Sequence, residues 1–112
     1  MTERARKYLF DILFAIEMVE NFLESTPTFF LYENDLKTKS AVERQLGIIG
    51  EAVNKFEKEQ TGYPLSYSRE IVNFRNRLIH AYDSIDDSVV WAIKTNHLPL
   101  LKAEIEKISK LN

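Results

Sequence analysis

Apolar side chains recur at close to a helical period through nearly the whole chain, so most of it is expected to fold as helices with one buried face. From Glu3 to about Glu24 that face carries Leu9, Ile12, Leu13, Ile16, Val19 and Leu23. Ser25-Thr26-Pro27-Thr28 interrupts the pattern. The next residues, Phe29-Phe30-Leu31-Tyr32, form an apolar patch in a connection or a short extra turn. It is either a plug over one end of the core or a lip for a partner. A second helix is expected from about Asp35 to Gln60, with Val42, Leu46, Ile49, Val53 and Phe56 on its inner face. Gly47 and Gly50 lie inside it, and each weakens a helix relative to alanine. Their presence points to close approach by another helix, within the chain or across a dimer. Thr61-Gly62-Tyr63-Pro64 should end this helix, with Gly62 as the C-terminal cap.

Ser66 or Ser68 is the expected N-cap of a third helix. The polar turn Asp83-Ser84-Ile85-Asp86-Asp87 follows, and Asp86 or Asp87 can cap a fourth helix led by Val89, Val90, Trp91 and Ile93. Asn96-His97-Leu98-Pro99 breaks the pattern, and Pro99 suits the first turn of a fifth segment running to Leu111. No strand pattern, repeat or phosphate-binding glycine loop is present. The short connections favour antiparallel neighbours. The expected fold is all-α, an antiparallel four- to five-helix bundle in a single domain over residues 1–112.

One stretch departs from plain core. Wound as a helix at about 100° per residue, Ile71, Val72, Phe74, Leu78 and Ile79 make an apolar stripe, and Arg75 and Tyr82 fall near its middle. A charge there is costly unless it is paired or kept at a wet cleft. Arg75 and His80 are about 140° apart on an ideal helix, so one straight helix cannot aim both at a small target. Either the helix loosens near Ile79, or a two-fold dimer brings the motif helices together and the stripe is an interface seam. Glu51, among apolar residues of the second helix, either pairs with Arg75 or Arg77 or faces solvent. Arg77 lies off the stripe and reads as a surface charge. Trp91 reads as core and His97 as a helix-end residue. Lys37, Lys39 and Arg44 could form a basic patch, although charges on a solvated helix face are the default.

Composition narrows the chemistry. The 112 residues suffice for one hydrophobic core. There is no cysteine, and the two histidines are not at metal-ligand spacing, so neither a disulfide framework nor a zinc site is expected. Acidic residues interrupt the first apolar helix, and no uncharged stretch reaches membrane-spanning length. A cytoplasmic protein is expected. A net charge of −2 means that any RNA contact must come from a local patch. Arginine binds phosphate in a planar fork, and histidine trades protons near neutral pH. RNA carries its own nucleophile, the 2′-hydroxyl, so these groups suffice for cleavage without a metal or other cofactor.

The stretch Asn73-Phe74-Arg75-Asn76-Arg77-Leu78-Ile79-His80-Ala81-Tyr82 contains Arg-x4-His-x-Tyr and resembles the signature of the HepT-like branch of the HEPN superfamily. Ile49-Gly50-Glu51-Ala52, Tyr63-Pro64, Val90-Trp91 and Leu98-Pro99-x-Leu101 also fall where that family has similar residues. The resemblance runs from about Thr38 to Leu111. It implies a helical, usually dimeric ribonuclease toxin whose antitoxin is a minimal nucleotidyltransferase. By position it makes Arg75 and His80 catalytic and Tyr82 the tyrosine that the antitoxin adenylylates. Asn76 would orient Arg75 or bind phosphate, and Glu51 and Arg77 are further candidates for support or phosphate binding. The alternative is a non-catalytic nucleotide-binding subunit or helical partner of the nucleotidyltransferase.

Overall fold

The computed structural model describes residues 1–111, and the elements among them are helical. Helix α1 spans Glu3–Leu23, α2 Phe29–Glu33, α3 Leu36–Glu59, α4 Arg69–His80, α5 Asp87–Ala92 and α6 Leu98–Leu111. A 3-10 turn at Tyr82–Ser84 follows α4, and a π turn at Ile93–His97 joins α5 to α6.

Side-chain caps set where several helices begin. The Thr2 hydroxyl accepts from the Ala5 N–H at 3.0 Å, and Thr28 does the same for Leu31 at 3.3 Å. Asp35 accepts from the Thr38 N–H at 3.0 Å, and Asp86 from the Ser88 N–H at 2.8 Å. Each satisfies a donor that the helix itself cannot. Ser68 differs from expectation. It holds the N-cap position of α4, yet its hydroxyl donates back to the Leu65 carbonyl at 3.0 Å and caps nothing. The preceding turn is instead tied down by carboxylates of neighbouring helices: Glu57 accepts from Leu65 at 3.2 Å, and Glu104 from Ser66 at 2.8 Å. Gly62 is not a left-handed cap either, since no glycine has a positive φ.

The inner faces of α1 and α3 interleave. Ile12, Ile16 and Val19 meet the zone of Val42, Leu46, Ile49, Val53 and Phe56, all of them fully buried. The packing is antiparallel. The Thr2 N–H at the start of α1 reaches Gln60 at the end of α3 (3.4 Å), and Lys102 on α6 pairs with Glu20 late in α1 at 2.9 Å. Helix α4 lies on the other side of α3, also antiparallel, with Leu78 beside Gly47 and Ile71 beside Gly50.

The aromatic segment divides its roles. Tyr32 is fully buried and lies 5.5 Å from the Trp91 ring, while Phe29 meets that ring edge-on at 6.0 Å. Lys94 sits 4.1 Å above the same indole. Phe30 and Leu31 face outward. The break expected near Pro99 is a π turn, in which the Leu98 N–H bonds to Ile93 five residues back. A proline ring cannot sit against the carbonyl four residues earlier, and the wider turn relieves that clash while the chain stays helical. No helix among the described residues is long and apolar enough to cross a membrane.

Candidate active site

An open cleft of about 350 Å³ lies between α3 and α4. Ser40, Glu43, Arg44, Gly47, Ile48 and Glu51 form its α3 wall, a single stripe at helical spacing. The α4 wall is Arg75, Leu78 and Ile79, and Tyr82 closes one end. Arg75 reaches this cleft because of glycine. A Cβ on Gly50 would lie 2.6 Å from the Arg75 Cβ and 3.1 Å from the Ile71 carbonyl oxygen. Two helix backbones can come this close only where one side chain is missing. The expectation that the glycines admit another helix is met within the chain. At Gly47 the nearest atom is Leu78 Cδ1, 3.2 Å from an added Cβ.

Arg75 is half-buried, and its Nη1 donates to the Asn76 side-chain oxygen at 3.2 Å. A neutral amide therefore orients the guanidinium and leaves its charge uncompensated. Glu51 lines the cleft, but its ion pair is with Lys55 at 3.2 Å, one turn along the same helix. No ion pair joins it to Arg75 or Arg77 among the described residues. Burial raises the Glu43 carboxyl above its ordinary range, the Asp87 carboxylate adds to that, and Lys39 opposes it. Lys39 itself bonds Asp87 at 3.0 Å. The buried Tyr32 hydroxyl has no hydrogen-bond partner among the described residues, and burial first, then Glu43 and Asp87, hold it protonated.

The motif is divided by the end of its helix. Helix α4 stays regular through Ile79 to His80, and Ala81 (φ −148°, ψ 49°) breaks it. Tyr82 thus reaches the cleft from the 3-10 turn, 65% exposed, rather than as the next turn of α4. Ile79, counted in the apolar stripe, is 56% exposed on the cleft wall. His80 is exposed and not among the cleft-lining residues. One chain therefore brings Arg75, Asn76, Glu51 and Tyr82 together and leaves His80 apart. Arg77 faces another groove, with Glu70, Asn73, Phe74 and Val89. His97 is half-buried at the end of the π turn.

The basic trio of α3 separates. Lys39 is held by Asp87, Lys37 lies in a groove with Asn21 and Phe22, and Arg44 alone lines the Arg75 cleft. Arg44, Gly47 and Glu51 follow the i, i+3, i+7 spacing of one helix face, a signal that singles out this arginine. No group of three His, Cys, Asp or Glu side chains among the described residues is arranged to hold a metal ion.

Comparison with known proteins agrees with the motif. The family model "Ribonuclease HepT-like" matches residues 12–108. A Thermococcus cleftensis protein named a probable ribonuclease HepT is 38% identical, over 98% of this chain and all of its own length. Two Methanocaldococcus jannaschii proteins named as candidate RNases are each 35% identical over 94% of this chain, covering 87% and 90% of their own lengths. No solved structure matches the chain significantly.

Proposed function

We propose that this chain, which belongs to the HepT-like ribonuclease family, cuts RNA without a metal ion as the toxin of a toxin–antitoxin pair. Family membership supports the ribonuclease function itself. The observation that carries the finer reading is the placement of Arg75: glycine-seated on α3, oriented by a neutral Asn76, and open to a cleft it shares with Tyr82. A fork of donors without a carboxylate partner suits the developing charge on a phosphoryl group. His80 acts as the proton carrier. It takes the proton of the RNA 2′-hydroxyl as that oxygen bonds to phosphorus. The bond from phosphorus to the 5′-oxygen breaks, and the leaving oxygen takes a proton from water. The products are a 2′,3′-cyclic phosphate and a 5′-hydroxyl end.

Two copies of the chain are needed for this. The helix does not loosen at Ile79, and within one chain His80 does not line the cleft that holds Arg75. A two-fold homodimer along the cleft, whose walls carry the exposed apolar groups Ile48, Ile79 and Tyr82, supplies the missing imidazole. The partner that silences the enzyme is a minimal nucleotidyltransferase. It transfers AMP from ATP to the Tyr82 hydroxyl, the tyrosine oxygen bonding to the α-phosphorus as pyrophosphate leaves. The new phosphate adds negative charge where RNA must lie and competes for the Arg75 guanidinium.

Cleavage of purified RNA in EDTA tests the proposal. Wild type should leave cyclic-phosphate ends, and His80→Ala should leave the RNA intact. Equal cleavage by both proteins would refute the role of His80. The separation of His80 from Arg75 in one chain favours a second reading, in which the cleft binds a nucleotide and presents Tyr82 without cutting RNA. Under that reading wild type leaves RNA whole and still gains AMP in intact-mass measurement.

A further inference from the structure

We propose that Arg44 is a second phosphate-binding residue of the cleft, gripping the RNA phosphate next to the one held at Arg75. The inference rests on the ribonuclease reading above and extends it to how the substrate strand is laid down.

Placement comes first. Arg44 lines the same cleft as Arg75 but rises from the opposite helix. It precedes Gly50 by six residues, about 9 Å along the helix axis. Gly50 is where the Arg75 Cβ abuts α3, and Gly47 is where Leu78 does. Because the two helices run antiparallel, Arg44 lies one turn further on, toward the Tyr82 end of the cleft. Two long, forked side chains rooted at this separation can hold neighbouring phosphates of one extended strand.

Charge is the second argument. Arg44 is exposed and forms neither an ion pair nor a hydrogen bond to protein among the described residues. Arg75 bonds a neutral amide. The two acids on the same wall have cations of their own nearby: Glu51 is turned to Lys55, and Glu43 lies near Lys39. An exposed arginine on a helix is ordinary. Two guanidiniums facing one concavity, neither with a carboxylate partner, make a site for a ligand with repeated negative charge. Of the three cations on this part of α3, Lys39 is committed to Asp87 and Lys37 lies elsewhere, so Arg44 alone is available to it.

A single-stranded RNA oligonucleotide of mixed sequence, carrying a neutral methylphosphonate at one position beside the cut, is the probe. On ordinary RNA, Arg44→Ala should lower kcat/KM roughly ten-fold or more, the usual scale for a hydrogen bond to a charged group. The slope of log kcat/KM against log salt should become shallower by about 0.7, one phosphate contact on a single strand. Arg44→Lys should recover the salt slope and only part of the rate. Placing the methylphosphonate at the neighbouring phosphate should harm wild type by the same factor and leave Arg44→Ala unaffected. Arg44→Ala that keeps the wild-type rate and salt slope overturns the proposal, as does a loss that persists undiminished on the methylphosphonate substrate. Wild-type protein that neither cuts nor binds the ordinary RNA overturns the ribonuclease reading, and this one with it.

Discussion

A methyl group at position 50 would press on the Arg75 Cβ and on the backbone of α4, neither of which can swing aside. Gly50→Ala should therefore destabilise the fold by about 1–3 kcal/mol, the usual cost of overpacking, despite a better helix propensity. It should also displace Arg75 and lower RNA cleavage. Position 47 offers a contrast. The atom in the way is the end of the Leu78 side chain, which can shift by a few tenths of an ångström. Gly47→Ala should be near neutral or slightly stabilising. Urea unfolding of both variants separates the two cases, and equal costs would mean that the glycines do not seat α4 as described. At the motif itself, Arg75→Lys should lose most of its activity because an ammonium cannot reproduce the planar fork. His80, exposed at the helix end, should be replaceable by alanine with a change in stability within about 0.5 kcal/mol. A large fall in melting temperature for His80→Ala would assign that histidine to structure instead.

Elements were legible where a local chemical signal marked their ends. The pattern predicts a second helix from about Asp35 to Gln60, and α3 runs Leu36–Glu59 with those two residues as its caps. Asp35 announces itself because a carboxylate before an apolar period satisfies a free helix N–H. The end of α4 carries no such mark: no glycine or proline stands near Ala81, and the stop is made by Ser84, whose N–H and hydroxyl both donate to the Ala81 carbonyl at 3.0 and 2.9 Å. A helical count that runs on to Tyr82 therefore puts the tyrosine in the right cleft through the wrong geometry. The same limit hid the role of Ser68, whose hydroxyl is drawn back to Leu65, and the π turn, because a proline signal does not distinguish a broken helix from a widened one.

The Asp35 cap also makes stability depend on pH. Hydrogen bonds from the Thr38 N–H and hydroxyl hold its carboxyl below the ordinary range. Its stabilisation is thus fully present above the unfolded carboxyl pKa and is lost as pH falls through the lower, folded value. Asp35→Ala should melt below wild type at neutral pH, and the gap should close in acid. A gap that is constant across pH would contradict the charged cap.

For the molecule as a whole, local signals leave open how Arg75 and His80 meet. Their separation around a helix was readable, and the regular course of α4 to His80 keeps that separation real. Symmetry is the remaining way to unite them, and sedimentation should find two chains associated at micromolar concentration. Monomers that still cut RNA would contradict this. The most direct test mixes two inert proteins, Arg75→Ala and His80→Ala, after unfolding and refolding them together so that chains exchange. If each site takes its arginine from one chain and its histidine from the other, a mixed dimer holds one intact site. The mixture should then regain about a quarter of wild-type RNA cleavage in EDTA. A mixture as inert as its two components, beside an active wild type treated the same way, would show that the site does not form between two copies of the chain.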